Sequence, residues 1–442
     1  RVGIKVPCAK VGALLPPGED GKPFAIKLGK IRGVESQGML CSSKELQLND
    51  DHGGLLELAE TAELGQDIRQ HLKLDDVLFT LKLTPNLAHC LGIHGVAREL
   101  SALTGSPLLQ PQYPTVPCTS DQVLPVQIEA PDLCGRFSGR VVRNVNPLAP
   151  TPGWMVDRLA RCGQRSVSAL VDISNYVMFE LGRPSHIFDL DKIHGGLDVR
   201  WGREGETLKL LNGNTVTVDA KVGVIADQAQ VESLAGIMGG AASAVSDTTD
   251  SVYVEAAFWW PQSIAGRSRR FNFSTDAGHR FERGVDPDLT LYALKRCIYL
   301  LQQITEAKQH TQLFTFEGNT AAAISLELNL QQVKQLIGTA LDTSLIKRIL
   351  TDLDFEILEE QANHLQVRVP RYRVDVTRPV DVIEEILRIY GLNQVPLPEK
   401  WNFSLPVRPR FYPEKHKESI CEFLVGRGYS EILNNSLTKL AY

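Results

Sequence analysis

The sequence predicts a multidomain protein of the α+β class, and three observations lead to this prediction. Its 442 residues suffice for about three domains. The stretch at 106–128, SPLLQPQYPTVPCTSDQVLPVQI, is rich in proline and is typical of a connector between folded units. Strand-like and helix-like runs alternate between residues 130 and 310, whereas the residues on either side form separate short runs of strands and helices.

The composition excludes several classes of protein. The hydrophobic fraction of 43% and the charged fraction of 22% are those of ordinary globular domains, and no apolar run approaches the roughly 18 residues of a membrane span. The net charge of −5 excludes a protein that only coats nucleic acid. The eight cysteines include no CxxC pair, which argues against a disulfide framework or a zinc site and favours the reduced thiols of a cytoplasmic protein.

The first 125 residues are predicted to hold two small units. Residues 1–72 alternate short β-rich runs with turns, and the closely spaced Gly29, Gly33 and Gly38 predict a small barrel. Residues 73–125 form a small α/β segment and the connector. The elements expected around this boundary are a helical stretch at ELAETAELGQDIRQHL, a strand at VLFTLKL, and a helix at HGVARELSALTG that ends at Gly105.

Residues 126–315 are predicted to form one mixed α/β domain, large enough to bury a core of its own. The expected elements, in order, are a helix at MVDRLARCG, a strand and then a helix within VSALVDISNYVMFEL, strands at TLKLL, VGVIA and VYVEAAFW, and a helix at DLTLYALKRCIYLLQQI.

Residues 318–395 predict a winged-helix-like domain. A strand at AISLEL is followed by helices at LQQVKQLIG and TSLIKRILTDL, strands at FEILEE and HLQVRVP, and a helix at PVDVIEEILRIYG. That last helix is acidic, which argues against the DNA-binding role of many winged helices. Residues 396–442 hold a predicted helix, turn and strand in HKESICEFLVGRGYSEILNNSL. Because the chain begins at Arg1 and stops at Tyr442 within this unit, we interpret it as a fragment.

The stretch RYRVDVTRPVDVIEEILRIYG places four carboxylates within eleven residues: Asp375, Asp381, Glu384 and Glu385. Taken alone, the spacing favours the solvated face of a helix capped by Thr377 or Asp375, with Glu384 paired to Arg388. The alternative is a shared cation, because Arg388 alone does not balance four converging carboxylates. An all-oxygen site of this kind suits magnesium or calcium. The spacing does not decide between the two.

No phosphate-binding loop, GxSxG elbow or HExxH motif occurs. Arg280-Phe281-Glu282 is similar to the Arg-x-Glu of class II synthetases, but its partner motifs are absent. The middle domain instead holds dispersed polar residues, each of which also has an ordinary structural explanation: a helix cap at Asn175, a loop histidine at His186, and an arginine partner for Glu255. The basic and aromatic stretch RSRRFNF suits a nucleic-acid backbone or a solvated loop equally.

Six motifs, in order, resemble the bacterial phenylalanyl-tRNA synthetase beta subunit family over essentially the whole chain: GKIRGVESQGMLCS, TPNLAHCLGIHGVAREL, VDISNYVMFELGRPSHIFDLD, LAGIMGG, TDAGHRFERGVDP and RYRVDVTRPVDVIEEILRIYG. The resemblance implies a partial OB-fold tRNA-binding barrel at 1–72, an editing domain at 126–315 and the start of a class II catalytic-like domain at 396–442. Departures from the family pattern are Leu87 and His89, Gly278 in place of serine, and Ser174 in place of threonine.

The resemblance also implies function. The family ligates phenylalanine to tRNA(Phe) with ATP and magnesium as an α2β2 heterotetramer in the cytoplasm, and its editing domain hydrolyses tyrosyl-tRNA(Phe). ATP would be used by the holoenzyme and not bound by this chain. The implied editing residues are Ser174, Asn175, His186, Ala235, Gly236, Glu255, Thr275 and Ala277. Glu255 would receive the tyrosine hydroxyl, Ala235 and Gly236 would line the side-chain pocket, and His186, Asn175 and Thr275 would position the ester and water.

The implied magnesium ligands are Asp375, Asp381, Glu384 and Glu385, near the alpha subunit, with some of them acting through water.

The limited selectivity of a single binding pocket explains why such a family needs editing. A pocket for phenylalanine rejects tyrosine only about 10²-fold, whereas a site that hydrogen-bonds the hydroxyl rejects phenylalanine by roughly 10⁴–10⁵. Attack by water is expected, since neither a catalytic triad nor a metal accompanies the editing residues. A non-catalytic RNA-binding or scaffold fragment is the alternative interpretation.

Overall fold

The computed structural model describes residues 2–17, 21–48, 53–110, 112–320, 322–397, 400, 403–404 and 413–439. The chain divides into two compact units, one made of Arg1–Thr84 and Asp157–Arg165, the other of Pro85–Val156 and Ser166–Tyr442. No helix in the described part is both long enough and apolar enough to span a membrane.

The first unit holds six short strands, β1 (Cys8–Lys10), β2 (Leu14–Pro17), β3 (Pro23–Ala25), β4 (Gly29–Ile31), β5 (Val34–Ser36) and β6 (Gly38–Leu40). They form three antiparallel pairs, β1 with β6, β2 with β3, and β4 with β5. Gly33, with φ of +86°, makes the turn between β4 and β5, as predicted. Within the described residues the pairs are not joined into one sheet, so the predicted barrel is not seen as a continuous sheet.

Two predictions for this unit are wrong. The helical stretch expected at 57–72 is reduced to α1 (Ile68–His71), whose N-cap Asp67 accepts a hydrogen bond from the Arg69 amide. The run VLFTLKL forms no strand. Most of its apolar side chains are exposed, with Phe79 at 81%, and no described strand pairs with it. A β-prone run without a partner strand leaves its backbone groups to water and stays irregular.

The second unit begins with a 3-10 turn at Pro85–Leu91 and helix α2 (Ile93–Thr104). Gly105 ends α2 in the left-handed conformation, as predicted. Close packing requires glycine at position 92, because a Cβ there would lie 2.2 Å from the Gly182 amide nitrogen.

Two sheets and a separate strand pair form the middle of this unit. Their strands are β7 (Val126–Ile128), β8 (Cys134–Arg143), β9 (His186–Asp189), β10 (Leu197–Trp201), β11 (Thr207–Lys209), β12 (Thr215–Thr217), β13 (Gly223–Ala226), β14 (Val231–Leu234), β15 (Met238–Gly239), β16 (Ser251–Trp259), β17 (Gln309–His310) and β18 (Phe314–Glu317). The central sheet has the order β17-β8-β16-β9, with β18 also pairing with β8. The outer sheet has the order β15-β14-β13-β10-β7, and β11 pairs with β12 alone.

The main core lies between the two sheets. Tyr253, Ala257 and Trp259, on one face of β16, belong to the same buried cluster as Val199 and Val224 of the outer sheet. The alternate residues of β16 point to the other face. Helix α8 (Leu289–Thr305) packs there on β8 and β16. The other helices after α2 are α4 (Ala169–Leu181), α5 (Pro261–Ile264), α6 (Arg267–Arg270) and α7 (Asp276–Arg283), and α3 (Gly153–Arg161) includes residues of both units.

The run VSALVDISNYVMFEL contains no strand, contrary to prediction. It is helical from Ala169, and the Ser168 hydroxyl caps the helix by accepting from the Val171 amide. The serine cap outweighs the β-branched residues of the run, because an N-cap satisfies an otherwise unpaired amide. The other strands and helices predicted between 126 and 315 are present.

The C-terminal part has the predicted order of elements, β19 (Ser325–Asn329), α9 (Leu330–Ile337), α10 (Thr343–Asp352), β20 (Glu356–Glu360), β21 (His364–Arg368) and α11 (Pro379–Tyr390). The strands form one antiparallel sheet, β19-β21-β20, which shares a core with all three helices. Beyond it, α12 (Pro413–Val425) is present, whereas the strand expected near its end is absent from the described residues 413–439. The position of Tyr442 lies outside the described residues.

Candidate functional site

Two of the predicted site residues face each other on neighbouring strands of the central sheet. Glu255 on β16 pairs with His186 on β9, so both side chains project from the same face of the sheet. Glu255 is buried, and the ring of His186 packs edge-on against Phe188 with centroids 4.4 Å apart. Nε2 of His186 is buried and has no hydrogen-bond partner among the described residues.

A turn of small residues leads into a short strand, β15, that packs against His186. Ala235 is fully buried, and Gly236 follows it in the turn between β14 and β15. Gly236 has φ of +66°, and a Cβ there would lie 2.7 Å from Cδ1 of Trp259. A Cβ on Gly239 would lie 2.3 Å from Cε1 of His186. Strand β15, which follows the turn, approaches His186 closely because Gly239 has no side chain to hold it away.

Thr275 joins this turn to helix α7. Its hydroxyl donates to the carbonyl of Ile237 at 2.9 Å and accepts from the Gly278 amide at 2.9 Å, so it also caps the helix. Ala277, in the first turn of α7, packs against the main core. The structure therefore connects the turn, His186 and α7 into one local arrangement.

Ser174 and Asn175 lie inside helix α4. The Ser174 hydroxyl donates to the carbonyl of Ser185 at 2.7 Å, immediately before His186, and so supports the start of β9. Asn175 is not a helix cap, which corrects the structural alternative considered for it, because Ser168 occupies that position.

Burial sets the protonation of the two facing residues. It raises the pKa of Glu255 to about 8, against the opposing charge of Arg183, and it lowers the pKa of His186 to about 4. At pH 7 the carboxyl is therefore mostly protonated and the imidazole is neutral. Arg183 is itself buried and donates to the Ala257 carbonyl at 2.5 Å and to the Thr290 hydroxyl at 2.6 Å.

A cleft of about 390 Å³ opens beside this arrangement, lined by polar side chains of α6, α7 and the loop between them: Ser268, Arg269, Ser274, His279, Glu282 and Arg283. Gly278 of α7 lies between the cleft and the turn. A Cβ on it would lie 3.9 Å from the hydroxyl of Ser268, which lines the cleft, and 4.0 Å from the carbonyl of Gly236, which belongs to the turn. The cleft is therefore next to the turn. Of the basic stretch RSRRFNF, Arg269 reaches the cleft, whereas Arg270 forms a bidentate pair with Asp219.

Three of the four carboxylates of the acidic stretch are held by arginines. Arg373 forms a bidentate pair with Asp375, at 2.7 and 3.0 Å, and Nη1 of the same side chain lies 2.6 Å from Oε2 of Glu385. This second contact is an ion pair whose angle is not that of a hydrogen bond. Arg388 also donates to Glu385, at 2.5 and 3.2 Å.

Several expectations for this stretch are therefore wrong. Asp381 accepts from the Thr377 and Arg378 amides and pairs with the Arg378 side chain, so it is Asp381, and not Thr377 or Asp375, that satisfies the helix start. Glu385 is 1% exposed and does not lie on a solvated face. Glu384 is exposed and accepts from Asn86 at 3.3 Å, while Arg388 pairs with Glu385 and Glu99.

Oxygen donors of this type suit magnesium, but arginine side chains occupy them in this arrangement. Three arginines, Arg373, Arg378 and Arg388, hold three of the four carboxylates, where the sequence suggested a single balancing arginine. Burial alone would raise the pKa of Glu385, but the adjacent guanidinium groups of Arg373 and Arg388 outweigh that effect and lower this pKa. A divalent cation would have to displace these guanidinium groups.

The described residues contain one group of three side chains spaced like metal ligands, His89, Cys90 and Glu99. Burial raises the pKa of the Cys90 thiol to about 12, so the thiolate that a metal needs is not formed. Glu99 already binds His89 at 2.8 Å and Arg388 at 2.5 Å. This group is therefore part of the same ion-pair network.

Comparison with known proteins identifies the family. The model of the B3/4 domain matches residues 133–306, and that of the tRNA synthetase B5 domain matches residues 326–392. The phenylalanine–tRNA ligase beta subunit of Cupriavidus pinatubonensis is 53% identical over 98% of this chain and 54% of its own length. The chain belongs to the phenylalanine–tRNA ligase beta subunit family. The beta subunit of Ralstonia nicotianae is likewise 53% identical, over 98% of the chain and 53% of its own length.

The family assignment confirms the resemblance carried by the six motifs, and with it a mixed α+β fold containing B3/4 and B5 domains. The chain spans about half the length of these beta subunits. An N-terminal fragment of the phenylalanyl-tRNA synthetase beta subunit from Pyrococcus horikoshii is 16% identical, with a TM-score of 0.36 over 70% of this chain and 85% of that chain. A likeness at this TM-score adds nothing to the fold assignment.

The eight candidate editing residues all fall in the B3/4 match, and the four carboxylates fall in the B5 match. Sequence reasoning missed two buried polar residues beside Glu255, namely Arg183 and Tyr253. Arg183 occurs in RPSHIFDLD next to His186, but an arginine in a polar loop gives no sign of full burial. Tyr253 lies two residues before Glu255 and was missed because a tyrosine in a strand is usually a residue of the hydrophobic core.

Proposed function

We propose that the protein is the beta subunit of a phenylalanine–tRNA ligase, which with its alpha subunit attaches phenylalanine to tRNA(Phe) using ATP. Its B3/4 domain is proposed to hydrolyse tyrosine wrongly attached to that tRNA. The observation that carries the second part is the buried, mostly protonated Glu255 opposite the neutral His186, beside a turn of small residues.

Chemistry supports the proposed roles. A protonated carboxyl both donates and accepts hydrogen bonds, so Glu255 suits the phenolic hydroxyl of tyrosine and would be left unpaired by phenylalanine. The free Nε2 of His186 suits a water molecule or the ester. The water oxygen bonds to the ester carbonyl carbon, the bond from that carbon to the ribose oxygen breaks, and the ribose oxygen takes up a proton. Ser174 is not placed to attack, since its hydroxyl donates to Ser185.

The test is hydrolysis of tRNA(Phe) charged with tyrosine or with phenylalanine. The holoenzyme, and this chain without the alpha subunit, are expected to release tyrosine faster than phenylalanine, and His186→Ala is expected to slow that release at least about 10-fold. If neither preparation exceeds the rate in buffer, the hydrolytic proposal is wrong. Binding of tRNA(Phe) without hydrolysis would then favour the alternative, a non-catalytic RNA-binding or scaffold role.

The cleft beside α7 is proposed to receive the single-stranded end of the tRNA. Its volume of about 390 Å³ and its Arg269 and Arg283 suit a nucleotide with its phosphate. Arg269→Glu with Arg283→Glu is expected to raise KM for tyrosyl-tRNA at least about 10-fold, with kcat little changed and a weaker salt dependence. The control, Lys308→Glu with Lys334→Glu, makes the same charge change on exposed lysines outside the cleft. Equal effects of the two pairs would contradict the assignment.

The finer architecture also remains a proposal. The antiparallel β19-β21-β20 sheet with three helices supports a winged-helix-like domain at 318–395. A partial OB-fold at 1–72, a segment at 73–125, an editing domain at 126–315 and a catalytic-like start at 396–442 rest on the resemblance. So do the α2β2 assembly, the cytoplasmic location and magnesium binding by the four carboxylates. Magnesium binding additionally requires Arg373 and Arg378 to release their carboxylates.

A further inference from the structure

Tyr253 carries a buried hydroxyl that has no hydrogen-bond partner among the described residues. It is two residues from Glu255 on β16, so the two side chains project from the same face of the strand. The hydroxyl lies over Gly139 of β8, where a Cβ would be 2.0 Å from its oxygen. Gly139 is the residue that pairs with Glu255 across the sheet. The Tyr253 hydroxyl is therefore directed toward the strand position opposite Glu255.

Leaving such a hydroxyl unpaired is unfavourable. A buried polar group without a partner destabilises a protein, and phenylalanine would fill the same space without that loss. The glycine at position 139 makes the room that the hydroxyl occupies. A polar atom held at this position, over β8 and across the sheet from Glu255 on the neighbouring β16, is best explained by a partner that arrives with the substrate.

We propose that the Tyr253 hydroxyl is a second specificity-determining group, which hydrogen-bonds the phenolic oxygen of a tyrosyl ester together with Glu255. The inference rests on the proposed hydrolytic function. The phenol donates a hydrogen bond to Glu255 and accepts one from the hydroxyl of Tyr253, so one substrate group satisfies both side chains. A phenylalanyl ester leaves both unpaired, which increases the discrimination beyond what Glu255 alone supplies.

The test compares Tyr253→Phe with a matched control in the holoenzyme. Tyr253→Phe is expected to lower kcat/KM for tyrosyl-tRNA(Phe) about 10-fold, to leave phenylalanyl-tRNA(Phe) unchanged, and to keep or raise Tm because an unpaired hydroxyl is removed. The control is Ser138→Ala. Ser138 also has a buried, unpartnered hydroxyl, but it pairs with Ala256 and points to the opposite face of the sheet. It is expected to leave the selectivity unchanged.

Binding of non-hydrolysable analogues separates this inference from the proposed reaction. The probes are 3′-amide-linked tyrosyl- and phenylalanyl-adenosine. The unmodified protein is expected to prefer the tyrosyl probe, and Tyr253→Phe is expected to lose about 10-fold of that preference even if no hydrolysis is found. An unchanged preference overturns the role of Tyr253. A fall in Tm with equal loss toward both substrates also overturns it, since that is the signature of a structural residue.

Discussion

Replacing Glu255 by alanine in the holoenzyme is expected to lower the ratio of tyrosyl- to phenylalanyl-tRNA(Phe) hydrolysis by about 10²-fold. The physical reason is that the phenolic hydroxyl of the substrate would enter a buried site and lose its partner there. The measurement is kcat/KM for both charged tRNAs. Because phenylalanine makes no use of the carboxyl, its hydrolysis should change little. A variant with an unaltered ratio would show that Glu255 does not recognise the hydroxyl.

Glu255→Gln is the matched variant, because its amide keeps the size and one hydrogen bond of the carboxyl, and a smaller loss of selectivity is expected. It also tests the charge state. In the folded protein Glu255 keeps its proton up to a pKa of about 8, against 4.5 for the ordinary side chain. The stability contributed by its neutral form is thus complete below pH 4.5 and is lost as pH rises toward 8.

His186 has the opposite dependence, since its pKa falls from 6.5 to about 4 and its contribution is lost as pH drops through that range. The two slopes cancel between about pH 4.5 and 6.5. The decline due to Glu255 should therefore appear between pH 6.5 and 8, at up to about 1.4 kcal/mol per pH unit. Urea unfolding midpoints should show this decline in the unmodified protein and a clearly flatter profile in Glu255→Gln.

Arg373→Met is expected to destabilise the B5 domain by about 3–5 kcal/mol. Arg373 is 1% exposed and lies between Asp375 and the equally buried Glu385. Its removal leaves a buried carboxylate short of a partner, which is among the most destabilising single changes. The measurement is the urea midpoint of the unfolding transition without magnesium. The control is Arg378→Met, since Arg378 is 70% exposed and its pair with Asp381 is worth at most about 1 kcal/mol.

The same variant tests the magnesium proposal. If Asp375 and Glu385 bind magnesium, the ion replaces the missing positive charge, and Arg373→Met should regain stability when magnesium is added. The unmodified protein, whose arginine already holds both carboxylates, should respond less. A loss of stability no larger than that of Arg378→Met would contradict the ion-pair interpretation. No recovery in magnesium would argue against these two carboxylates as ligands.

The sequence predicted the local structure well where a strong local signal was present. The order of strands and helices in the B5 domain followed from hydrophobic periodicity, and Gly105 marked the end of α2. Prediction failed where the formation of a strand depends on pairing with another strand. VLFTLKL has strand composition but no partner strand among the described residues, and most of its apolar side chains, Phe79 among them, are exposed. No local pattern reports whether a second strand is available.

For the candidate site, too, some features can be predicted from the sequence and others only from the folded chain. The family, the fold class and the eight candidate editing residues follow from ordered motifs, which can be recognised in the chain without a structure. The folded protein alone reveals that Glu255 faces His186, that Tyr253 directs an unpaired hydroxyl toward the same face, and that arginines hold Asp375, Asp381 and Glu385. Burial, pKa and ion pairing depend on which distant residues surround a group, and Arg373 and Glu385 look like ordinary surface residues in sequence.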